Sequence, residues 1–276
     1  MLSTAIIVFR EVLEAALIIS IVIAATRGVM HRGKWVMLGV AGGLLGAGVV
    51  AIFADVIADA LTGRGQELFN AGILFTAVTM LGWHNIWMKQ HGRELAMQMS
   101  AVGRSISEGN RPLRILAVVI GLALLREGSE VVLFLYGIAS AQETSSGSML
   151  TGGLLGIVAG SVLGYLLYRG LLKIPSKHLF AVTGWLILLL AAGMSAHGAG
   201  YLVQVDLLPP LGHAIWDTSS IISEQSITGK LLSTLVGYIA RPDGIQVFFY
   251  LSTILLIGAM MIRIDQRSPH NKTVAA

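Results

Sequence analysis

Seven apolar stretches, each long enough to cross a bilayer, constrain the fold of this chain more than any other feature. Hydrophobic residues make up 55% of the 276 positions, charged residues only 12%, and mean hydropathy is +0.77. Because a helix needs about 20 apolar residues to cross the hydrocarbon core, the sequence predicts an all-α membrane protein. We place its seven transmembrane helices at 2–26, 35–61, 67–89, 113–141, 148–168, 178–203 and 244–263.

The composition also excludes several classes of site. The chain has no cysteine, so disulfides and thiolate metal sites are excluded. The 33 glycines suit close packing between helices in lipid. No nucleic-acid-binding module and no nucleotide-binding motif is recognisable. The first apolar run has no basic region before it, so we expect no cleavable signal peptide.

The basic residues predict the orientation in the membrane. Fourteen of the 19 lysines and arginines lie at or near the ends that follow helices one, three, five and seven. The opposite side has three: Arg64, Lys230 and Arg241. Because cytoplasmic loops are enriched in basic residues, the N-terminus is predicted outside and the C-terminus in the cytoplasm. The predicted outer side is rich in acidic residues. This excess either follows simply from the positive-inside rule or serves to concentrate cations.

The helices divide into two predicted repeats, 1–89 and 113–203, within a single membrane domain. Three helices per repeat give the repeats inverted orientations, an architecture common in transporters. Loop 90–112 is predicted to hold a short amphipathic helix at 94–107 on the membrane surface. An outer segment, 204–243, is predicted to contain a helix that begins near Asp217. The seventh span, 244–263, and a cytoplasmic tail, 264–276, follow.

A charged five-residue pattern occurs twice, in the first and fourth helices. It reads Arg10-Glu11-Val12-Leu13-Glu14 and Arg126-Glu127-Gly128-Ser129-Glu130. On a helix the two glutamates share a face and the arginine lies near the second glutamate. One ionised side chain at mid-bilayer costs about 2.5–3.5 kcal/mol on insertion scales, so three within one turn indicate a function.

That function is predicted to be cation binding. Carboxylates suit hard cations such as ferric iron, Ca²⁺, Mg²⁺ or Mn²⁺, and the two helices would present four of them to one ion: Glu11, Glu14, Glu127 and Glu130. Arg10 and Arg126 would act as counter-charges that keep the carboxylates ionised. The alternative is two buried ion pairs that only pack the helices.

Other polar residues are weaker candidates for the site. His84 and His197, deep in helices three and six, either bind metal or form a hydrogen bond between helices. Asp55 and Asp59 are either solvated charges at a helix end or an access relay, and Glu67 would face the same vestibule. Asp217, in the outer segment, could receive metal from a partner protein.

The doubled motif resembles the oxidase-dependent iron permease family, which includes fungal high-affinity iron permeases and bacterial relatives of the EfeU type. The resemblance extends to Q-E-L-F at Gln66–Phe69 and to G-x-L-x-x-x-x-x-G-Y at Gly229–Tyr238, although Asn70 stands where the bacterial family has glutamate. It implies a multi-pass protein of the bacterial inner membrane that imports iron, as ferric iron or coupled to iron oxidation, with the motif glutamates as ligands and no permanently bound cofactor. It also implies a periplasmic iron-binding protein or an oxidase as partner.

Three alternatives to iron import remain at the level of sequence. The same family includes members for lead, so the identity of the transported metal stays open. A proton-coupled carrier of organic cations would use the glutamates as proton sites. A membrane anchor subunit would use the ion pairs only to organise partners and lipid.

Overall fold

The computed structural model describes residues 1–60, 66–141, 145–169 and 176–267. Within these ranges the chain folds into helices and connecting turns, with no strand. Seven helices are long and one is short: α1 (Leu2–Ala25), α2 (Arg32–Ala60), α3 (Gln66–Ser107), α4 (Arg114–Ala141), α5 (Ser146–Tyr168), α6 (Ser176–Gln204), α7 (Ile227–Val236) and α8 (Gly244–Arg267). The seven long helices cover the seven predicted apolar stretches.

Among the described residues, four helices are long and apolar enough to cross a membrane: α2, α5, α6 and α8. Helices α1 and α4 carry the charged motifs, and the apolar part of α3 contains Asn70, His84 and Asn85. Perimeter helices expose large apolar side chains, for example Leu45 (72%), Leu150 (67%) and Leu255 (69%). Apolar surface on this scale marks a protein or membrane contact, and these features indicate an integral membrane protein.

Glycines let the outer helices approach the helices that carry the motifs. Gly156 of α5 faces α1, and a Cβ there would lie 2.8 Å from the carbonyl oxygen of Ala5. Gly43 of α2 faces α4, and a Cβ there would lie 2.5 Å from the Leu124 Cβ. Small residues at such contacts allow backbones to pack closely in lipid. The glycine rows of α2 and α5 therefore fix α4 and α1.

The packing of the first six helices has an internal symmetry. Helix α1 packs on α5 and α4 packs on α2, while α3 packs on α6 and α1 on α4. Exchanging helices 1–3 with helices 4–6 leaves this set of contacts unchanged. Two three-helix repeats predict this pattern; their inverted orientation in a membrane stays a prediction. Helix α8 packs mainly on α6.

The structure corrects the prediction for 90–112. The predicted surface helix at 94–107 is the end of α3, which continues without a break to Ser107. A helix of this length extends about 60 Å, roughly twice the hydrocarbon thickness. It ends where Gly109 adopts a positive φ of 78° and Pro112 follows, both of which terminate helices. Gly103 packs against Ala25 at the end of α1.

The predicted helix start at Asp217 is also wrong. Asp217 accepts a hydrogen bond from the Ser219 amide, while the Thr218 amide donates to the Ala240 carbonyl. These bonds hold the backbone in a turn instead of a helix. Helix α7 starts later, where the hydroxyl of Ser226 accepts from the Gly229 amide at 2.9 Å, as an N-cap does.

Two apolar clusters form the interior. The first joins α1, α3, α4 and α6 through residues such as Ile7, Leu81 and Phe134. The second joins the other end of α1 to α3 and α4 through Val22, Ile106 and other buried residues. The charged motifs lie between these clusters along α1 and α4.

Candidate metal centre

The two charged motifs meet in the interior, together with a histidine from a third helix. Glu11 of α1, His84 of α3, and Glu127 and Glu130 of α4 each offer a ligand atom, and these atoms all lie within 4.8 Å of one another. Glu11, His84 and Glu127 are almost completely buried, with 1–3% of each residue exposed. The structure therefore brings together three of the four predicted glutamates.

Glu14, the fourth glutamate, is not part of this group. The Arg10 guanidinium holds it through a 2.8 Å hydrogen bond from Nε to Oε1. Arg10 also lies 3.7 Å from Glu11, between Nη1 and Oε1. Only 2% of the Arg10 side chain is exposed, so its charge is balanced by these two carboxylates.

Arg126 occupies the equivalent position in the second motif but has a more open environment. Its Nε lies 3.2 Å from Glu130 Oε1, and 39% of its side chain is exposed. The guanidinium also lies over the Trp87 ring, 4.4 Å from its centroid, within the range of a cation–π interaction. The two arginines are thus equivalent in sequence and different in surroundings.

His84 contacts both motifs. Its Nε2 lies 3.2 Å from Glu14 Oε2 and 3.7 Å from Glu11 Oε2, and its Nδ1 contacts Glu130 Oε2. The next residue holds α3 in place, because the Asn85 side chain donates to the Gly184 carbonyl of α6 at 2.9 Å. The adjacent polar pair His84-Asn85 within an apolar run is a sequence signal that could have distinguished this histidine from His197.

Several carboxylate oxygens of the centre lack a hydrogen-bond donor among the described residues. They include both oxygens of Glu11, which lie 3.7 Å from Arg10 Nη1 and His84 Nε2, and Oε2 of Glu127, all buried. Burying an ionised oxygen without a partner is costly, and buried polar groups in folded proteins are nearly always paired. A cation between these carboxylates would provide the missing partner.

The formal charge of the centre is negative. Counted over both motifs and His84, with all four glutamates ionised, both arginines charged and the histidine neutral, it is −2. Like charges at this separation repel strongly in a poorly polarisable interior, and a divalent cation would reduce the sum to zero. The arrangement can therefore hold a divalent ion in a dry site with balanced charge.

The weaker candidates lie outside the centre. Asp55 is exposed and accepts a 2.8 Å hydrogen bond from the Tyr136 hydroxyl, and Glu67 is exposed in the first turn of α3. The Asp59 side chain lies outside the described residues. His197 borders a small cavity beside Ser3, and its buried Nε2 has no hydrogen-bond partner in the described part of the chain.

Asp217 is fixed within the outer segment. Hydrogen bonds from Ser219, with the Arg241 guanidinium 2.8 Å away, lower the pKa of Asp217 to about 2. Glu224 in the same segment accepts a 2.6 Å hydrogen bond from the Ala240 amide. Both carboxylates therefore hold local structure.

Comparison with known proteins places the chain in a family. Residues 1–267 match the family described as Iron permease FTR1 family. The chain is 31% identical over 261 residues to the Ferrous iron permease EfeU of Shigella sonnei, covering 92% of this chain and 94% of that protein. The protein of the same name from Yersinia pestis is 29% identical over 276 residues, with 98% and 96% covered.

A further relative carries a different name, and the names of all these relatives specify ferrous iron. The Escherichia coli K12 protein, 31% identical over 263 residues with 92% and 94% covered, is named Putative inactive ferrous iron permease EfeU. These names describe ferrous iron, so the predicted ferric or oxidation-coupled transport is not confirmed. No solved structure matches the chain. The predicted resemblance is confirmed: this chain belongs to the iron permease FTR1 family.

Proposed function

We propose that this protein imports ferrous iron across the bacterial inner membrane, and that the ion is held by Glu11, Glu127 and Glu130. The observation that carries the proposal is the meeting of three glutamates from two helices, two buried and one partly buried, with ligand atoms within 4.8 Å of one another. Structural ion pairs alone do not explain carboxylate oxygens left without donors. The family and the names of the relatives support iron as the transported ion.

The charge of the centre favours the ferrous ion. A divalent ion neutralises a centre of formal charge −2, whereas ferric iron would leave a net positive charge in a dry interior. An unbalanced buried charge is strongly disfavoured. The relatives named above, EfeU of Shigella sonnei and of Yersinia pestis, are called ferrous iron permeases, which agrees with this argument.

The position of the centre favours a carrier with an occluded site over an open pore. Apolar clusters lie on both sides of it along α1 and α4. One includes Phe134, which is fully buried, and the other includes Val22, also fully buried. Water and ions pass such apolar layers only when the helices rearrange. An ion at this centre would therefore alternate between the two sides.

The direction of transport follows from the proposed topology. We propose that α1–α6 and α8 cross the membrane, with the N-terminus in the periplasm and the C-terminus in the cytoplasm, as the basic residues predict. An inside-negative potential then drives cations inward by about 2.3 kcal/mol per charge per 100 mV. Import requires no nucleotide hydrolysis by this chain.

The outer segment 204–243 is the proposed contact for a periplasmic iron-binding protein or an oxidase. It presents exposed apolar side chains, including Ile215, Trp216 and Ile221, beside the charged pair of Asp217 and Arg241. Exposed aromatic and apolar residues with a polar rim are typical of protein contacts. Such a partner would deliver the ion to the outer side.

The test is uptake of radioactive iron into proteoliposomes that contain the purified protein and carry an inside-negative potential. Iron is supplied as Fe²⁺ with ascorbate, or as ferric citrate. We expect uptake from the ferrous supply only, and a loss of most uptake per folded molecule in Glu127→Gln. Glu67→Gln is the matched control, because Glu67 is exposed and outside the centre. Equal uptake from ferric citrate, or full activity of Glu127→Gln, would overturn the proposal.

A further inference from the structure

We propose that His84 is itself a ligand of the transported ion, and that it makes the centre select divalent transition-metal ions over Mg²⁺ and Ca²⁺. This inference rests on the proposed function, since it assigns selectivity to the same site. Neither the description of the family nor the names of the relatives mention this histidine. The inference comes from where α3 places the ring between the two motifs.

The ring has a direct geometric relation to the candidate ligands. His84 is one of the four residues whose ligand atoms lie within 4.8 Å of one another, and Glu14 is not. The ring nitrogen Nδ1 faces Glu130, and the ring is almost completely buried. The geometry therefore fits a ligand set of three carboxylates and one imidazole better than a set of four carboxylates.

Glu14 has the role of an orienting partner. A histidine bound to metal almost always donates its other ring N–H to a carboxylate or carbonyl, which fixes the tautomer. Glu14 Oε2 lies 3.2 Å from His84 Nε2, and Arg10 holds the other oxygen of Glu14 at 2.8 Å. With Nε2–H donating a hydrogen bond to Glu14, the lone pair of Nδ1 remains available to an ion.

The chemistry of the donor set explains the selectivity. Sites built only from carboxylates and water suit Mg²⁺, Ca²⁺ and Mn²⁺, whereas imidazole suits iron, nickel, copper and zinc. Mg²⁺ and Ca²⁺ are much more abundant than free iron in most natural waters and would compete for a site of glutamates alone. One nitrogen ligand would favour Fe²⁺ over these ions without changing the charge of the centre.

A purely structural role for His84 makes a different prediction. If the ring only joined the two motifs by hydrogen bonds, its replacement would lower the affinity for every divalent ion by the same factor, or lower the amount of folded protein. A ligand role predicts a loss confined to ions that prefer nitrogen. The ratio of two affinities separates the two roles.

The experiment measures binding of Co²⁺, which resists oxidation in air, and of Ca²⁺ to purified protein in nanodiscs. In His84→Gln we expect the Co²⁺ affinity to fall at least about tenfold, since loss of even an outer partner of a ligand typically costs 10–100-fold. The Ca²⁺ affinity should stay unchanged. His197→Gln is the matched control, because that histidine is deep in a helix and outside the centre. An unchanged ratio in His84→Gln would overturn the inference.

A measurement on the unmodified sequence covers the case in which His84→Gln does not fold. Co²⁺ is bound to protein labelled with ¹⁵N-histidine, and pulsed electron paramagnetic resonance at low temperature detects any ¹⁵N coupling to the metal. We expect a directly coordinated nitrogen, and absence of the coupling in protein that binds Co²⁺ would overturn the inference. In that outcome Glu127→Gln still lowers binding and the proposed function stands. If neither Glu127→Gln nor Glu11→Gln lowers binding, the proposed function itself fails.

Discussion

Replacing the two motif arginines by alanine should have unequal effects on the folded protein, although the sequence treats them as equivalent. Arg10 is buried with 2% of its side chain exposed and is bonded to Glu14. Removing one partner of a buried ion pair costs about 3–5 kcal/mol, because the other charge stays buried without compensation. Arg10→Ala should therefore lose much of the folded protein, against a typical total stability of about 5–15 kcal/mol.

Arg126→Ala should cost less. With 39% of its side chain exposed, Arg126 is less enclosed by protein than Arg10, and we assign its ion pair with Glu130 about 1 kcal/mol, the upper end for exposed pairs. Loss of the contact with Trp87 adds about 0.5–1 kcal/mol. The expected difference between the two variants is then about 2 kcal/mol in the free energy of unfolding.

In the assay each purified variant is unfolded in detergent. Size-exclusion chromatography with fluorescence detection then measures the fraction that remains folded. Adding Glu14→Gln to Arg10→Ala separates charge from packing, because it removes the nearer of the two carboxylates that lose their counter-charge. We expect the double variant to recover a large part of the lost stability. Equal destabilisation by Arg10→Ala and Arg126→Ala, or no recovery in the double variant, would refute the reasoning.

Three further predictions follow from packing and topology. Gly43→Ala should destabilise the contact of α2 with α4, whereas Gly42→Ala, which has open space around it, should not; thermal unfolding of both variants checks this. Glu224→Ala should speed proteolysis of the outer segment, since it removes a 2.6 Å hydrogen bond to the backbone; Glu224→Gln, which keeps an acceptor, should not. A reporter fused after Ala276 should be active in the cytoplasm and one inserted near Ser146 should be active outside; the reverse pattern contradicts the proposed topology.

Length and local pattern predicted the helices because each apolar run is by itself long enough to cross a membrane as a helix. The positions of α1 and α4 follow from apolar length, and the motifs within them follow from the cost of charge in hydrocarbon. The boundary of α3 could not be read in this way. Residues 90–107 are polar enough to suggest a loop, but the helix continues because Gly103 packs on Ala25 and no proline interrupts it.

The centre was predicted only in part, because its composition depends on contacts between distant residues. From the sequence, His84 and His197 were equally good candidates for a metal ligand, since each is a single histidine deep in an apolar run. Asn85 fixes α3 against α6 through the Gly184 carbonyl, and this packing turns His84 toward both motifs. Likewise, nothing in the repeated motif distinguishes Glu14 from Glu130. Glu14 contacts Nε2 of His84 and Glu130 contacts Nδ1, and only Glu130 belongs to the group of close ligand atoms.

Helix α3 is the element that connects the two motifs to each other and to the far end of α1. Its His84 contacts Glu14 of the first motif and Glu130 of the second, and its Trp87 lies under Arg126 of the second motif. The same continuous helix packs Gly103 against Ala25. Because a helix shifts as a nearly rigid unit, a displacement of α3 along its axis must move the ring in the centre and the contact at Ala25 together. A rearrangement that opens the second apolar cluster therefore also changes the surroundings of the ion, which is what a carrier with an occluded site requires.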